Sequence, residues 1–183
     1  MQANIAIGLL ETSSIAKGIE ASDAMCKMAS VKLVKTNIIA RGKYVILISG
    51  PVGDVESSLR AGAELAKASV VHQFIIRNVH QQVLDSLEKR VPVEALDAVG
   101  IIETKEASPA IQAADAAAKA AKVHLLETRA VVGGGKGYVS MTGEVGAVRS
   151  AVAAGIAAVP EGMLVTQIVI PQPDPQLLQT LGK

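Results

Sequence analysis

The chain has 183 residues and a formal net charge of +1, and half of its residues are apolar. This length accommodates one ordinary domain or two small ones, and the balanced charge excludes a strongly basic surface for nucleic acid. Aromatic residues make up only 2% of the chain. The core must therefore be built from aliphatic side chains, which favour thin sheets and closely packed helices over a deep, ring-lined substrate cavity.

Cysteine usage and apolar runs narrow the class of protein further. Cys26 is the only cysteine, so an internal disulfide and a cysteine-rich metal site within one chain are excluded. The first residues lack a basic stretch followed by a long apolar run, and no run approaches the ~18 uninterrupted apolar residues of a membrane span. We therefore expect a soluble cytoplasmic protein with neither nucleic-acid nor membrane partners.

The most informative feature of the sequence is an internal repeat. Segment 6–12, AIGLLET, returns as segment 98–104, AVGIIET, at an offset of 98 − 6 = 92 residues, and further matches follow along both halves. Two units of this length are too long and too few for a solenoid. The repeat predicts two domains, 1–92 and 93–183, joined through the charged, proline-containing segment 88–96.

In chain order, the first half predicts a strand, a helix, two strands, a second helix and a last strand. Ser13-Ser14 offers the N-cap of the first helix, and Pro51-Val52-Gly53-Asp54 starts the second. Cys26 falls within the first helix, where we expect a small buried apolar side chain. The predicted strands cover residues 3–10, 31–39, 43–49 and 70–77, and a short helix at 81–87 is expected to close the first half.

The second half repeats this order of elements. Ser108-Pro109 offers a cap followed by proline in the first helical turn, and the later strands are predicted near 123–131, 137–142 and 163–170. Each half is therefore predicted to be an α/β (α+β) unit of order β-α-β-β-α-β. This is a split βαβ, ferredoxin-like arrangement, in which the helices lie on one face of an antiparallel sheet.

Three short patterns occur in the same order in both halves: a strand at Gly8–Thr12, a helix at Glu20–Lys27 and a turn into a helix at Gly50–Val55. Together with the closing segment Val169–Pro173, they resemble the bacterial microcompartment shell domain over nearly the whole chain. Two such domains in one chain are similar to the tandem class, as in propanediol-utilisation compartments. The resemblance implies a structural shell protein, not an enzyme.

The same resemblance implies how the protein would assemble and where it would act. Three chains would close into a homotrimeric, pseudohexameric ring, a tile that joins hexameric shell proteins in the compartment shell and contacts encapsulated enzymes. A central pore would pass small metabolites. The loop after the second strand of each domain would face this pore, which would be lined by Ile39, Ala40, Arg41, Val132, Gly133 and Gly134.

Alternatives remain open for these pore residues. If Arg41 points inward, three guanidinium groups would favour anions. A solvated loop charge is the alternative interpretation. The glycine run fits a narrow polar pore and an ordinary hairpin turn equally well.

The resemblance also implies tile-edge residues and one point of departure. Lys27 and Lys119 match lysines that contact the neighbouring tile, solvated helix lysines being the alternative. Asn78 and Gln172 occupy the places of an edge arginine. Tandem proteins of the propanediol-utilisation type bind an iron–sulfur cluster through a loop cysteine, which is Ala40 here. Alanine has no thiolate, so we expect no cluster, metal or other cofactor.

Catalytic motifs are weak throughout the sequence. Segment 133–137 is similar to a phosphate-binding loop but lacks its first glycine, at Ala130, and the hydroxyl residue after Lys136. Glu11 and Glu103 are related by the repeat, so they would share one environment instead of forming an acid and base pair. The rival interpretations are a trimeric protein that senses small metabolites between subunits, and an electron conduit through the shell.

Overall fold

The computed structural model describes residues 5–130 and 135–182, which form two compact units of the same design. Met1–Val79 group as the first unit and His80–Lys183 as the second. By their contacts, residues 80–92 therefore belong to the second unit. The division at 92/93 stays a prediction about where the duplicated segments are joined.

The first unit is a four-stranded antiparallel sheet with two long helices. Its elements are β1 Ile5–Thr12, α1 Ile15–Met28, β2 Lys32–Ile39, β3 Lys43–Pro51, α2 Val52–Ala66 and β4 Val70–Ile76. The strand order is β2-β3-β1-β4, with all neighbours antiparallel. This confirms the predicted split βαβ arrangement. Alternate residues of the central strands, including Leu10 and Ile46, pack with Met25 and Leu59 of the helices in the core.

The second unit repeats this arrangement and adds a short helix at each end. Its elements are α3 Gln81–Glu88, β5 Ala98–Thr104, α4 Ala107–Ala120, β6 His124–Arg129, β7 Gly137–Gly143, α5 Val145–Ala157, β8 Leu164–Ile170 and α6 Leu177–Leu181. The strand order β6-β7-β5-β8 matches that of the first sheet, again with antiparallel neighbours. The duplication in sequence is therefore a duplication of fold.

One glycine on β1 and one on β5 let the sheet and a helix lie close together. A Cβ atom on Gly8 would lie 2.8 Å from side-chain carbons of Val55 and Leu59, and one on Gly100 would lie equally close to Val148. Such distances are too short for carbon atoms in contact, so larger residues would push the helix off the sheet. The same close packing is encoded twice.

Helix α3 packs within the second unit, and the prediction that it closes the first half is wrong. It lies against β6 and α4 and buries Val83 and Leu87. The Gln82 side-chain amide donates to the Val123 carbonyl at 3.1 Å and accepts from the Leu125 amide at 2.8 Å. The sequence pattern shows that this helix has an apolar side, but it cannot show which sheet that side covers.

The two matching helix starts differ. The Ser14 side chain caps α1 as predicted, its Oγ accepting from the Lys17 amide at 3.4 Å. The expected cap at Ser108 is wrong, because α4 begins one residue earlier and Ser108 lies inside its first turn. The N-cap position is held by Glu106, whose side chain makes no capping hydrogen bond.

Cys26 is exposed, so its predicted burial is wrong. The buried residues of α1 form one narrow stripe: Gly18, Ala21, Ser22 and Met25. Cys26 lies just outside this stripe, because one further residue turns the helix by about 100°. Its matching residue in α4, Ala118, is 8% exposed, so the two copies of this helix face differ in what covers them.

Candidate functional site

The connection between β2 and β3 ends in an exposed, tightly wound tip at Ala40–Gly42. Arg41 and Gly42 both adopt left-handed backbone conformations, with φ of 64° and 72°. Glycine accepts this region freely, whereas for arginine it costs roughly 1–2 kcal/mol. The strained turn presents the Arg41 side chain to solvent at the end of the hairpin.

The structure brings together some of the predicted pore-lining residues. Ala40 and Arg41 are neighbours at the exposed tip, whereas the Ile39 side chain is only 9% exposed and is packed into its own unit. The other three predicted residues, Val132, Gly133 and Gly134, lie outside the described residues. Pore lining stays a prediction for the whole set.

A lysine at the start of β3 pairs with a carboxylate on β1, and a lysine just before β7 pairs with a carboxylate on β5. Lys43 Nζ lies 2.5 Å from Glu11 Oε1, and Lys136 Nζ lies 2.6 Å from Glu103 Oε1. The Glu11 side chain is buried, at 7% exposure, while that of Glu103 is 30% exposed. The duplicated glutamates thus hold the bases of the two hairpins.

The lysines predicted at tile edges both form ion pairs one helical turn back. Lys27 Nζ lies 2.6 Å from Asp23, and Lys119 Nζ lies 2.6 Å from Asp115. Each pair places the lysine near the end of its helix, where a cation interacts well with the helix dipole. The Lys27 side chain remains 73% exposed, so it is available at the surface. The tile-edge role itself stays a prediction.

The other two predicted edge residues follow the last strand of each unit. Asn78 is exposed and adopts a left-handed conformation, with φ of 55°. Gln172 is also exposed. Asparagine accepts the left-handed region better than most residues, so Asn78 suits the turn that leaves β4. Their contact with a neighbouring tile stays a prediction.

A half-buried charged cluster on the second sheet was missed by the sequence interpretation. The Glu127 carboxylate accepts hydrogen bonds from the Tyr138 hydroxyl, from Arg129 Nε at 2.8 Å and from Arg90 Nη2 at 3.1 Å. The Arg129 guanidinium also lies 5.9 Å from the centre of the Tyr138 ring. The spacing of Glu127 and Arg129, two residues apart on one strand, was the available signal.

The cluster sets the protonation of its members. Burial alone would raise the pKa of Glu127, but the hydrogen bonds from Tyr138, Arg129 and Arg90 outweigh it and lower this pKa. Burial, together with the bond to Glu127, raises the pKa of the Tyr138 hydroxyl. The carboxylate therefore stays charged and the phenol stays neutral near neutral pH, which keeps their hydrogen bond intact.

No group of three or more His, Cys, Asp or Glu side chains is placed to hold a metal ion in residues 5–130 and 135–182. Within those ranges, the helices are also too short or too polar to cross a membrane. The absence of a cluster, a metal or another cofactor stays a prediction from Ala40.

The fold agrees with what known proteins show. The BMC domain family model matches residues 6–79 and 98–173, once for each unit. A curated relative, the bacterial microcompartment shell protein PduT of Citrobacter freundii, is 41% identical over 170 residues, covering 92% of each chain. The carboxysome shell protein CsoS1C of Halothiobacillus neapolitanus is 38% identical over 88 residues, covering 46% of this chain and 90% of its own.

A solved structure gives the same answer in three dimensions. A microcompartment protein from Desulfitobacterium hafniense superimposes with a TM-score of 0.93 at 47% identity, covering 97% of this chain and 99% of that one. The chain belongs to the BMC domain family. It is a shell protein of a bacterial microcompartment and carries two of these domains in tandem.

Removing Lys43 tests the pair at the base of the first hairpin. We expect Lys43→Met to lower the free energy of unfolding by about 3 kcal/mol, since it leaves the buried Glu11 carboxylate unpaired. Lys136→Met is the matched control in the second unit and should lose about 1 kcal/mol or less, because Glu103 is better solvated. Urea unfolding measures both, and equal losses would contradict this account.

Replacing Glu127 tests the charged cluster through pH. At pH 7 we expect Glu127→Gln to lower the free energy of unfolding by about 2 kcal/mol. The folded pKa is lowered, so this stabilisation is present above the unfolded pKa of about 4.3 and is lost as pH falls through the folded value. The gap between the two proteins should therefore close in acid. A gap that is independent of pH would refute the role of charge, and exposed Glu161→Gln serves as the control.

Proposed function

We propose that three copies of this chain close into a flat pseudohexameric ring that tiles the compartment shell, passes small metabolites through a central pore and catalyses no reaction. The observation that carries the proposal is the duplication itself. Two units of one fold in one chain supply six similar lobes when three chains meet. PduT and CsoS1C are named as shell proteins, not as enzymes, which supports a structural role.

An open apolar surface on the second sheet supports association between chains. Ile101 and Ile168 are paired across β5 and β8, so they share a face of the sheet. The neighbouring Gly100 faces α5, so Ile101 points away from the helices. Ile168 is 42% exposed on this face of the second sheet. In the first sheet, Leu9 holds the position that matches Ile101, and it is fully buried. A partner chain on this face would remove apolar surface from water.

The exposed tip of the first unit supports the pore. In a ring with threefold symmetry, Arg41 would appear three times around the axis, close to two exposed positions, Ala40 and Gly42, that add little bulk. Three guanidinium groups that always carry charge would attract anions and repel cations. We infer that the permeant molecules are small and anionic.

The rival functions have less support. An electron conduit through a loop cluster requires a thiolate at the tip, and Ala40 stands there. A trimeric metabolite sensor remains compatible with the fold, because fold alone does not determine function. The two trimeric possibilities differ in assembly, since a tile must associate through its edges and a sensor need not.

Assembly state separates the tile from the sensor. Light scattering of the purified chain should give about 56 kDa, three times the 18.8 kDa of one chain. Electron microscopy at high concentration should then show extended sheets or tubes. Lys27→Ala with Lys119→Ala should preserve the trimer but impair the sheets, if both lysines lie at tile edges. A monomer or a dimer would refute the ring, and a trimer that never forms sheets would favour the sensor.

Charge reversal at the tip tests the pore. Sheets sealed across a small aperture and placed in a KCl gradient should show a reversal potential of the sign expected for anion selectivity. Arg41→Glu should invert that sign while leaving the trimer intact, because it replaces the rim cations with anions. Arg60→Glu, an exposed charge reversal on α2, is the matched control. If both variants behave alike, Arg41 does not line the opening.

A further inference from the structure

The two copies of the first long helix differ sharply in what covers them. On α4, Ile111 is fully buried and the Asp115 side chain is only 10% exposed. Their counterparts on α1, Ile19 and Asp23, are exposed, with Ile19 at 55%. The helices match in sequence and in their place on the sheet, so the difference arises from a covering element that one unit has and the other lacks.

The outer strands of the two sheets show the same difference. Leu125 on β6 is 1% exposed, whereas its counterpart Leu33 on β2 is 42% exposed. Thr128 on β6 is also buried, whereas Thr36 on β2 is half-buried. The exposed residues of α1 and β2 thus form one continuous surface of the first unit, which we call the uncovered face.

In the second unit, the covering element is α3. The His80 amide at its start donates to Asp115 Oδ1 at 2.8 Å, and the Ser86 and Thr128 hydroxyls share a hydrogen bond of 2.8 Å. The Gln82 side chain also hydrogen-bonds Val123 and Leu125 at the start of β6, as described above. These polar contacts fix the helix in one position while its apolar side covers α4 and β6.

Helix α6 repeats α3 in sequence and in its place after a sheet. Helix α3 follows β4, and α6 follows β8. Ile76 and Ile170 hold matching positions on those strands, which sets an offset of 170 − 76 = 94 residues. At that offset segment 80–87, HQQVLDSL, aligns with segment 174–181, DPQLLQTL.

The aligned residues keep the same chemistry. Glutamine recurs at Gln176, a hydroxyl recurs at Thr180, and the apolar positions recur as three leucines. The same side-chain contact occurs at the N-cap of α3, His80, and two residues before the N-cap of α6, Gln176. The His80 side chain accepts from the amide two residues on, and so does the Asp174 side chain. Helix α6 therefore carries the features that let α3 bind its target.

Helix α6 is held to its own unit by its backbone, since Arg90 donates to the Thr180 carbonyl and the Val93 amide donates to the Gly182 carbonyl, but its side chains are less covered than those of α3. Val83, Ser86 and Leu87 of α3 are buried, whereas no residue of α6 is buried and Thr180 is exposed. The three leucines of α6 are half-buried and Gln176 is exposed, so a partner could cover the helix further.

We propose that α6 of one chain docks on the uncovered face of a second copy, in the way that α3 docks on α4 and β6. Each trailing helix then covers the unit that comes next around the ring, and the last unit of one chain is followed by the first unit of another. Gln176 takes the place of Gln82 at the start of β2, and Thr180 meets Thr36. This contact rests on the proposed trimer and names the segment that closes it.

Two pairs of substitutions test the contact from both sides. Ile19→Lys should break the trimer and lower the mass threefold, to 18.8 kDa. Met28→Lys should not, although Met28 lies on the same helix and is equally exposed at 55%, because its counterpart Ala120 is also exposed. On α6, Thr180→Arg should break the trimer, while the adjacent Gln179→Arg should not, since its counterpart Asp85 is exposed.

Cys26 supplies a second measurement that does not depend on mass. Its counterpart Ala118 is covered in the second unit, so we expect slow alkylation of Cys26 in the wild-type trimer. Thr180→Arg, which would act on Cys26 of the neighbouring chain, should speed this reaction by about tenfold or more, since a covered thiol reacts only when the interface opens. All four positions changed are exposed in the single chain, and circular dichroism confirms folding.

The outcomes separate the two proposals. Trimers that persist in both Ile19→Lys and Thr180→Arg, with Cys26 alkylated rapidly in the wild type, would overturn the docking of α6 and leave the ring intact. A wild-type chain that is not a trimer would overturn the proposed function first. Loss of the trimer in these two variants, with both controls intact, supports the contact.

Discussion

The constraint on which the structure depends is that each unit leaves one face of its outer strand and first helix for another segment to cover. In the second unit α3 covers this face, and the result is visible in the full burial of Ile111 and Leu125. The burial of apolar surface drives this contact, and the buried Ser86–Thr128 hydrogen bond fixes its register. In the first unit, the same surface is built but not covered. The fold of one chain is thus complete only in one of its two halves.

The two halves have also diverged in charge along the outer strands of their sheets. Glu127 lies opposite Ser140, and Lys35 lies opposite Leu47 at the matching place in the first sheet. The second unit has a carboxylate held by two arginines and a tyrosine, whereas the first has a lysine there. A single-domain protein that forms a ring of six identical lobes cannot vary these positions separately. Fusion of two domains permits such variation, and the different loops after β2 and β6 show the same freedom.

Much of the fold followed from local sequence signals. The strands and the Ser14 cap arise from periodicity and from side chains close along the chain, so the sequence predicted both, and the repeat at an offset of 92 predicted the order of the strands twice. Two of the errors have one common origin. Helix α3 was assigned to the wrong unit, and Cys26 was expected to be buried. Both depend on which distant segment covers a helix, and an apolar stripe does not identify its partner.

The amino-acid sequence by itself determined the duplicated β-α-β-β-α-β order, the family and the arginine at the hairpin tip, because these are properties of neighbouring residues and their spacing. Only the tertiary structure decided that Arg41 adopts a left-handed conformation and that Glu127 accepts hydrogen bonds from Arg90 and Tyr138. It also decided that α3 covers α4 in the second unit, while the matching helix α1 stays uncovered. Burial and charge pairing join residues far apart along the chain. They are therefore set by packing and not by local pattern.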